Sequence, residues 1–290
     1  DALTAEDWSC VFSVNADAMK IVPGLARYPV EPPLDAGRGP TGGCQLLVVD
    51  HYGLDSIWET TCRNWADRIL VIDDAPNRLH DCDILLDTAP HLPTEAYTPL
   101  VPANCIRLLG PDYALLATNF AKRRSEMLLD QPAHQAVHLF VNFGLTADAA
   151  LYERVVDALG DPALSPALAI EVDIVLGAAP DQAVAALKRR AADLGQSVRV
   201  HGAVTEIADL LAQCNIAIAA AGTSSWERCC LAVPSLVVSM ADNQANNAAG
   251  LARLGAAIYL GTVDTVRAPD IAAALAGLAR DSGRRRTMAR

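Results

Sequence analysis

Polar side chains that could bind or transform a ligand follow a short apolar run near residue 50. The run 46–49 leads directly into Asp50, His51, Tyr52 and Gly53. Such an abrupt change is typical of a buried parallel strand, and ligands of open α/β sheets bind beyond the carboxyl ends of these strands. The pattern predicts an acid, an imidazole and a phenol at a binding edge. The alternative is a solvated loop that caps the next helix.

A second run has the composition of a phosphate-binding turn. Three alanines at 219–221 lead into Gly222, Thr223, Ser224 and Ser225, where a helix is predicted to begin. Glycine lets the backbone approach a ligand closely, and free N–H groups at a helix start attract phosphate oxygens. Glu227, in the first turn, could accept hydrogen bonds from ribose hydroxyls. The alternative is an ordinary serine cap followed by an acid, which uses the same donors.

Two more strand-to-helix turns are predicted on the edge that carries Gly222. Asn243 and Gln244 open a helix after the strand that ends at Ser239, and Gly144 follows Phe143 at the end of another strand. Amide side chains offer a donor and an acceptor together, which suits sugar hydroxyls. An asparagine cap is the alternative for Asn243. The convergence of three turns on one edge favours a binding site.

Strand-like runs and amphipathic helices alternate almost throughout, which is typical of parallel α/β architecture. The length of 290 residues favours two domains. With a linker at Asp130-Gln131-Pro132, we predict two doubly wound Rossmann-like domains, 1–131 and 132–290, that face one another across a cleft. Strands are predicted at Ser9–Val14, Leu46–Asp50, Arg68–Asp73, Ile84–Asp87, Val137–Phe143, Ile170–Leu176, Val198–His201, Ile216–Ala220, Ser235–Ser239 and Ala257–Leu260. Helices are predicted at Ser56–Ala66 with Ser56 as its N-cap, Asn119–Leu129, Asp148–Leu159, Asp181–Leu194 closed by Gly195, Thr205–Ala212, Trp226–Leu231 and Asn243–Leu254 closed by Gly255.

Composition excludes several classes of function. A net charge of −11 argues against nucleic acid as a partner. No apolar stretch approaches the roughly 18 residues of a membrane span and no signal peptide is evident, so we expect a cytoplasmic protein. The eight cysteines form no Cys-x-x-Cys pair, and His80-Asp81-Cys82-Asp83 lacks a second ligand pair. We therefore expect free thiols, no metal and no cofactor.

The motifs recur in the order of a known family. They are the segments 50–55, 58–59, 73–74, 80–87, 108–116, 222–227 and 243–244. Across essentially its whole length the chain resembles the UDP-2,4-diacetamido-2,4,6-trideoxy-β-L-altropyranose hydrolases of pseudaminic acid biosynthesis. That family is similar in fold to glycosyltransferases of the GT-B type, including the enzyme that forms lipid II.

The resemblance implies hydrolysis of this UDP-sugar to the free sugar and UDP. Water would attack the anomeric carbon with inversion and without a metal. By motif, Tyr52 and His51 would face the sugar from the first domain, and Asn243 would contact the substrate from the second. Glu227 would hold the ribose. The UDP-binding residues that the resemblance implies are Gly144, Gly222, Thr223, Ser224, Ser225, Glu227 and Gln244.

The chain departs from the family in two places. The family begins with a strand and a Gly-rich loop whose histidine is the general base, and this sequence begins after both; loss of a central strand would leave an open edge. Leu145 stands where a second glycine is typical. His51 as a substitute base is one hypothesis. The alternatives are a GT-B glycosyltransferase that uses a UDP-sugar donor, and a non-catalytic UDP-sugar binding protein.

Overall fold

The computed structural model describes residues 8–14, 29–31, 35–90, 93, 95–129, 136–144, 149–164, 168–194 and 196–290. By their contacts the residues divide into two compact units, 1–115 and 116–290. In both units the described strands pair in parallel, as expected from the alternation of strands and helices.

The first unit is built on a four-stranded sheet in the order β3-β4-β5-β6. Its apolar runs supply a core of buried side chains that includes Val49, Ile69, Val71 and Leu85. Among the described residues β3 lies at an edge of this sheet, and β1 and β2 form a separate parallel pair. The elements are β1 (Phe12–Ser13), β2 (Val30–Glu31), β3 (Leu47–Asp50), α1 (Ser56–Cys62), β4 (Ile69–Ile72), β5 (Ile84–Asp87), β6 (Ile106–Leu109) and a 3₁₀ turn at Pro111–Tyr113.

The second unit is built on a six-stranded sheet in the order β12-β11-β10-β7-β8-β9. The chain runs from β7 outward to β9, then returns to β10 on the other side of β7 and runs outward to β12. The sheet is therefore doubly wound. The elements are α2 (Thr118–Leu129), β7 (Val137–Asn142), α3 (Ala149–Leu159), β8 (Ile170–Val175), α4 (Asp181–Ala191), β9 (Ser197–His201), α5 (Ile207–Gln213), β10 (Ile216–Ala220), α6 (Ser224–Cys230), β11 (Ser235–Ser239), α7 (Asp242–Arg253), β12 (Ala257–Thr262), α8 (Ala268–Arg280) and α9 (Ser282–Met288), with a 3₁₀ turn at Pro162–Leu164.

Both faces of this second sheet are covered. Leu139 and Val141 point to one face, where they join a buried cluster with residues of α3 and α8. Phe140 points to the other face and packs with Phe120 of α2 and Leu211 of α5. Because successive side chains of a strand alternate between faces, a strand buried on both sides is almost wholly apolar, as β10 is.

Several sequence predictions need correction. Helix α1 ends at Cys62 rather than Ala66, and its N-cap is Asp55, whose carboxylate accepts hydrogen bonds from the N–H groups of Ile57 and Trp58. Ser56 is not the cap but the first residue of the helix, and its N–H donates to Leu79 O. The first predicted strand is reduced to β1. The elements β2, β6, α8 and α9 were not predicted.

The division between the units also differs from the predicted boundary at 131/132, which lies outside the described residues together with Leu145, Asp148 and Gly195. Helix α2, assigned to the first domain from sequence, packs on α5 and α6 and groups with the second unit. Its buried Phe120 accounts for this grouping. Within the described residues no helix is both long and apolar enough to cross a membrane.

Candidate functional site

The second unit has a topological switch point between β7 and β10. These strands pair side by side, with Asn142 opposite Ala219, and the chain leaves them in opposite directions. Gly144 follows β7 and Gly222 follows β10, so the structure places both glycines at the same edge of the sheet. Ligands of doubly wound sheets bind in the crevice at such a point.

The turn at Gly222 presents unused hydrogen-bond donors. The N–H groups of Gly222, Thr223 and Ser224 have no acceptor in the described part of the chain. Thr223 occupies the N-cap position of α6, but its side chain makes no capping bond. The serine-cap alternative is therefore wrong. Three consecutive donors remain open, an arrangement that suits an anion.

Helix α7 packs directly against this turn. A Cβ atom on Gly222 would lie 3.4 Å from Gln244 Nε2. Gln244 Oε1 accepts a hydrogen bond from Met240 N at 3.0 Å. Asn247 Nδ2 donates to Ala221 O at 2.6 Å. The structure thus brings Gln244 and the Gly222 turn together, and it adds Asn247, which sequence reasoning missed although it lies one helical turn after Gln244.

Asn243 lies exposed in the first turn of α7, and the N-cap of this helix is Ala241. The asparagine-cap alternative is therefore wrong. The side chain of Asn243 stands at the sheet edge that carries Gly222. Its predicted contact with a substrate stays a prediction.

The turn after β7 is fixed by side chains beneath it. Gly144 has φ +101°, a conformation that L-residues rarely adopt. Its N–H donates to Asn142 Oδ1 at 3.1 Å, and Asn142 Nδ2 donates to Val175 O at 2.9 Å. The buried Tyr152 hydroxyl accepts from Phe143 N at 3.1 Å. Gly144 is therefore held at the crevice in a fixed backbone conformation.

Two charged neighbours on α6 differ in environment. Glu227 is half-buried, and burial raises the pKa of its carboxyl group. No hydrogen bond to the Glu227 carboxylate is formed within the described residues, which leaves its oxygens available to a ligand. Arg228 points the other way and is 3% exposed. Burial lowers the pKa of Arg228 to about 10, so the guanidinium is charged at neutral pH.

In the first unit, His51 and Tyr52 follow β3 and are both exposed. The Tyr52 hydroxyl donates to Asp74 Oδ2 at 3.1 Å. His51 Nδ1 accepts the N–H of Gly53 at 2.9 Å. A neutral His51 in this geometry carries its proton on Nε2, since one ring nitrogen accepts and the other must donate. The lone pair on Nδ1, the one that could take up a proton, is therefore already engaged by the Gly53 N–H.

Arg78 ties this loop to the sheet. Its Nε donates to Leu54 O at 3.0 Å, and its Nη2 lies 3.4 Å from His51 O. The same Nη2 donates to Asp73 Oδ1 at 2.8 Å. Asp73 is buried at the end of β4. The loop that carries His51 and Tyr52 is therefore held through one buried carboxylate.

A buried acid–base network lies behind Asp73. Glu59 Oε1 is 2.7 Å from His80 Nδ1, and both side chains are fully buried. Burial favours the neutral ring, but the hydrogen-bonded Glu59 carboxylate and the Asp73 carboxylate, 3.6 Å from Nε2, outweigh it and raise the pKa of His80 to about 9. The Tyr97 hydroxyl lies 3.1 Å from Asp73 Oδ2 and 2.9 Å from Asp87 Oδ2. Burial raises the pKa of Asp87 to about 6.

Sequence reasoning missed this network as a unit. Glu59 and Asp73 belong to separate motifs, His80 and Asp87 to a third, and Tyr97 to none. Residues 21 apart in sequence, such as Glu59 and His80, meet only in the folded chain. Among the described residues, no three His, Cys, Asp or Glu side chains come together as a metal site.

One curated relative matches part of the chain, and no family model matches it. Over 83 residues the chain is 34% identical to the UDP-2,4-diacetamido-2,4,6-trideoxy-β-L-altropyranose hydrolase of Campylobacter jejuni subsp. jejuni. The matched stretch is 28% of this chain and spans only 30% of the relative.

Solved structures match over nearly the whole chain. MurG of Acinetobacter baumannii has a TM-score of 0.63 at 15% identity, and the spinosyn forosaminyltransferase SpnP has 0.60 at 16%. The glycotransferase of kitacinnamycin has 0.57 at 16%. Each match covers 99% of this chain and 87% of the other. At these identities the similarity is one of fold, and it confirms the predicted class, an α/β protein of the GT-B type. The sheet of the second unit is doubly wound, whereas the described strands of the first unit lie in consecutive order.

Proposed function

We propose that this protein binds a UDP-sugar and hydrolyses it to UDP and the free sugar. The observation that carries the proposal is the row of three open N–H groups, Gly222 to Ser224, at the switch point of the second unit. Such donors suit a diphosphate. The identity with the Campylobacter hydrolase supports UDP-2,4-diacetamido-2,4,6-trideoxy-β-L-altropyranose as the substrate.

In this proposal the second unit holds the nucleotide. The N–H groups at the Gly222 turn accept the diphosphate, and Gly144 leaves room on the other side of the crevice. The half-buried Glu227 carboxylate accepts hydrogen bonds from the ribose hydroxyls. As the bond from the anomeric carbon to the phosphate oxygen breaks, negative charge grows on UDP. Donors already aimed at that charge stabilise the transition state by several kcal/mol.

The sugar side of the reaction is assigned to Tyr52, His51 and Asn243. A water oxygen attacks the anomeric carbon from the face opposite UDP, so the configuration inverts and the water releases one proton. His51 can take that proton at Nδ1 only after the Gly53 N–H has been released, because that lone pair is engaged. We therefore assign His51 first to the shape of the loop.

Glycosyl transfer is the second candidate. It is favoured by the similar structures, which include the glycotransferase of kitacinnamycin and the spinosyn forosaminyltransferase SpnP. The same diphosphate site would hold the donor, and the attacking oxygen would belong to an acceptor other than water. A protein that only binds the UDP-sugar is the third candidate.

One experiment separates hydrolysis from the other two candidates. The protein is incubated with the UDP-sugar in the absence of any acceptor, while UDP release and the anomer of the free sugar are followed by NMR. Release of the inverted anomer supports hydrolysis. Binding of UDP by calorimetry without release rejects hydrolysis in favour of transfer or binding alone, and the absence of UDP binding rejects all three.

A matched pair of variants tests the donor row itself. Thr223 has φ −58°, close to the angle that proline requires, and its N–H has no acceptor in the described chain. Thr223→Pro therefore removes one donor without breaking a protein hydrogen bond. Thr223→Ala removes the side chain but keeps the N–H. We expect proline to weaken UDP binding about tenfold more than alanine does; equal effects would remove the support for a phosphate at this turn.

A further inference from the structure

A buried cation lies directly beneath the Gly222 turn. Arg228 is 3% exposed, and no carboxylate among the described residues lies within salt-bridge distance of it. Its nearest acid in sequence, Glu227, lowers the cost of its charge only at a distance. A buried guanidinium normally has an anion beside it, because an isolated charge is expensive to bury.

The guanidinium uses four hydrogen bonds in place of an ion pair. Its Nε donates to Ser235 Oγ at 3.1 Å, and its Nη2 donates to Ala220 O at 2.9 Å. It also donates to two hydroxyls of the turn: Nη1 to Ser224 Oγ at 3.1 Å and Nη2 to Ser225 Oγ at 3.0 Å. The side chain thus links the end of β10, the start of β11 and the first turn of α6.

These bonds fix the direction of two hydroxyl groups. A serine oxygen that accepts from a guanidinium must point its own proton away from it. Neither the Ser224 nor the Ser225 hydroxyl finds an acceptor for that proton within the described residues. Ser224 is half-buried, and its hydroxyl belongs to the same turn as the three open N–H groups.

The carbonyls of the same turn are also engaged. Arg228 occupies Ala220 O, and Asn247 of α7 occupies Ala221 O. Two acceptors that would repel an anion are therefore already engaged, while the three N–H donors of the turn have no acceptor among the described residues. Two helices contribute to this arrangement independently.

We propose that Arg228 is a positioning residue for the nucleotide diphosphate: it orients the Ser224 hydroxyl as a donor and supplies a buried positive charge whose counter-ion is the bound diphosphate. The inference rests on the proposed function, because it assumes that the diphosphate occupies the Gly222 turn. It adds a residue that does not touch the ligand. The chemical class of ligand that it selects is a nucleoside diphosphate or its sugar ester, in preference to the nucleoside itself.

The test measures the affinities of UDP and uridine by calorimetry for the parent chain and its variants. Arg228→Lys keeps the charge but not the planar fork, so it cannot hold all four acceptors. We expect it to weaken UDP binding about tenfold and to leave uridine binding within about twofold. Arg253→Lys, at an exposed arginine of α7, is the matched control and is expected to bind both ligands as the parent does.

Ser224→Ala keeps the test decisive if the Arg228 variant does not fold. It removes the oriented hydroxyl and leaves the buried arginine with its other partners, and we expect it too to weaken UDP binding and not uridine binding. In the double variant the two effects should be less than additive, because both act through one hydroxyl.

Three outcomes overturn the inference: unchanged UDP affinity in a folded Arg228→Lys or Ser224→Ala variant, equal loss for uridine, or full additivity. Failure of the parent chain to bind UDP instead overturns the proposed function.

Discussion

The two units place polar groups at the carboxyl edges of their sheets in opposite ways. In the first unit the edge is rich in ionisable side chains that pair with one another, as in Asp73 with Arg78 and Glu59 with His80. In the second unit the edge offers backbone donors without acceptors among the described residues, above one buried arginine. The charged groups named at the first edge are paired with one another, whereas the N–H donors named at the second edge await an acceptor.

Under the proposed function, this difference favours the second unit for the charged part of the ligand. The first edge carries Asp50 and Asp74, and burial with the nearby Asp74 charge raises the pKa of Asp50. An acid whose charge is already disfavoured by a neighbouring carboxylate would be disfavoured further by a diphosphate. An uncharged sugar, which needs acceptors and donors rather than counter-ions, suits this edge. The diphosphate suits the second.

The largest expected effect comes from breaking the charge pairs of the first unit. Glu59→Gln leaves the buried His80 without its closest anion, and we expect a loss of about 3 kcal/mol in unfolding free energy. Glu126→Gln, which breaks the more exposed pair with Arg123, should cost no more than about 0.5 kcal/mol. Urea unfolding measures both. A loss of similar size in the two variants would contradict the view that the first edge is held by its charges.

The same network predicts a pH dependence confined to the first unit. The pKa of His80 is raised to about 9 in the folded chain, so its stabilisation is complete below about pH 6.5 and is lost as the pH rises toward 9. Between pH 6.5 and 8.5 we expect a loss of about 2 kcal/mol. Asp87, with a pKa of about 6, finishes titrating at the start of this window.

Hydrogen exchange, corrected for the intrinsic effect of pH, resolves the two units in one experiment. Protection of the amides of β4 and β5 should fall across this window, and that of β10 and β11 should change less. His80→Gln should flatten the dependence in β4 and β5. A parallel fall in both sheets would assign the effect to some other group.

The contrast also explains what the sequence could predict. The bounds of β5, β10 and β11 coincide with the predicted ones, because a short apolar run between polar or glycine residues is a local signal. Helix α8 was missed because it is rich in alanine and lacks a clear polar face. Asp55 and Ser56 are adjacent residues that both favour the N-cap position, so the local sequence does not decide between them. The arginine beneath the Gly222 turn could not be predicted, since its acceptors come from three different elements.

In the second unit we expect backbone conformation, rather than charge pairs, to stabilise the carboxyl edge of the sheet. Gly144→Ala places a Cβ at φ +101° and should cost about 1–2 kcal/mol of unfolding free energy, independent of pH. Gly277→Ala lies within α8, where an added Cβ meets nothing within 4 Å, and should stabilise by up to about 1 kcal/mol. If both glycine variants changed stability in the same direction, a fixed conformation at Gly144 would not be needed.

The smallest effect on the rate of UDP release is expected at His51, where two closely similar variants can be compared. Asn can place its Oδ1 where His51 Nδ1 accepts the Gly53 N–H, whereas Gln cannot. If His51 shapes the loop, His51→Asn should retain most of the rate of UDP release, and His51→Gln should lose several-fold as the loop opens. If His51 is instead the base, both variants lose activity alike, since neither amide takes up a proton. The second measurement is the rate of amide hydrogen exchange in the loop around Gly53. This rate should rise in the Gln variant alone. A rise in both variants would mean that the imidazole ring as a whole, rather than its acceptor atom Nδ1, orders the loop.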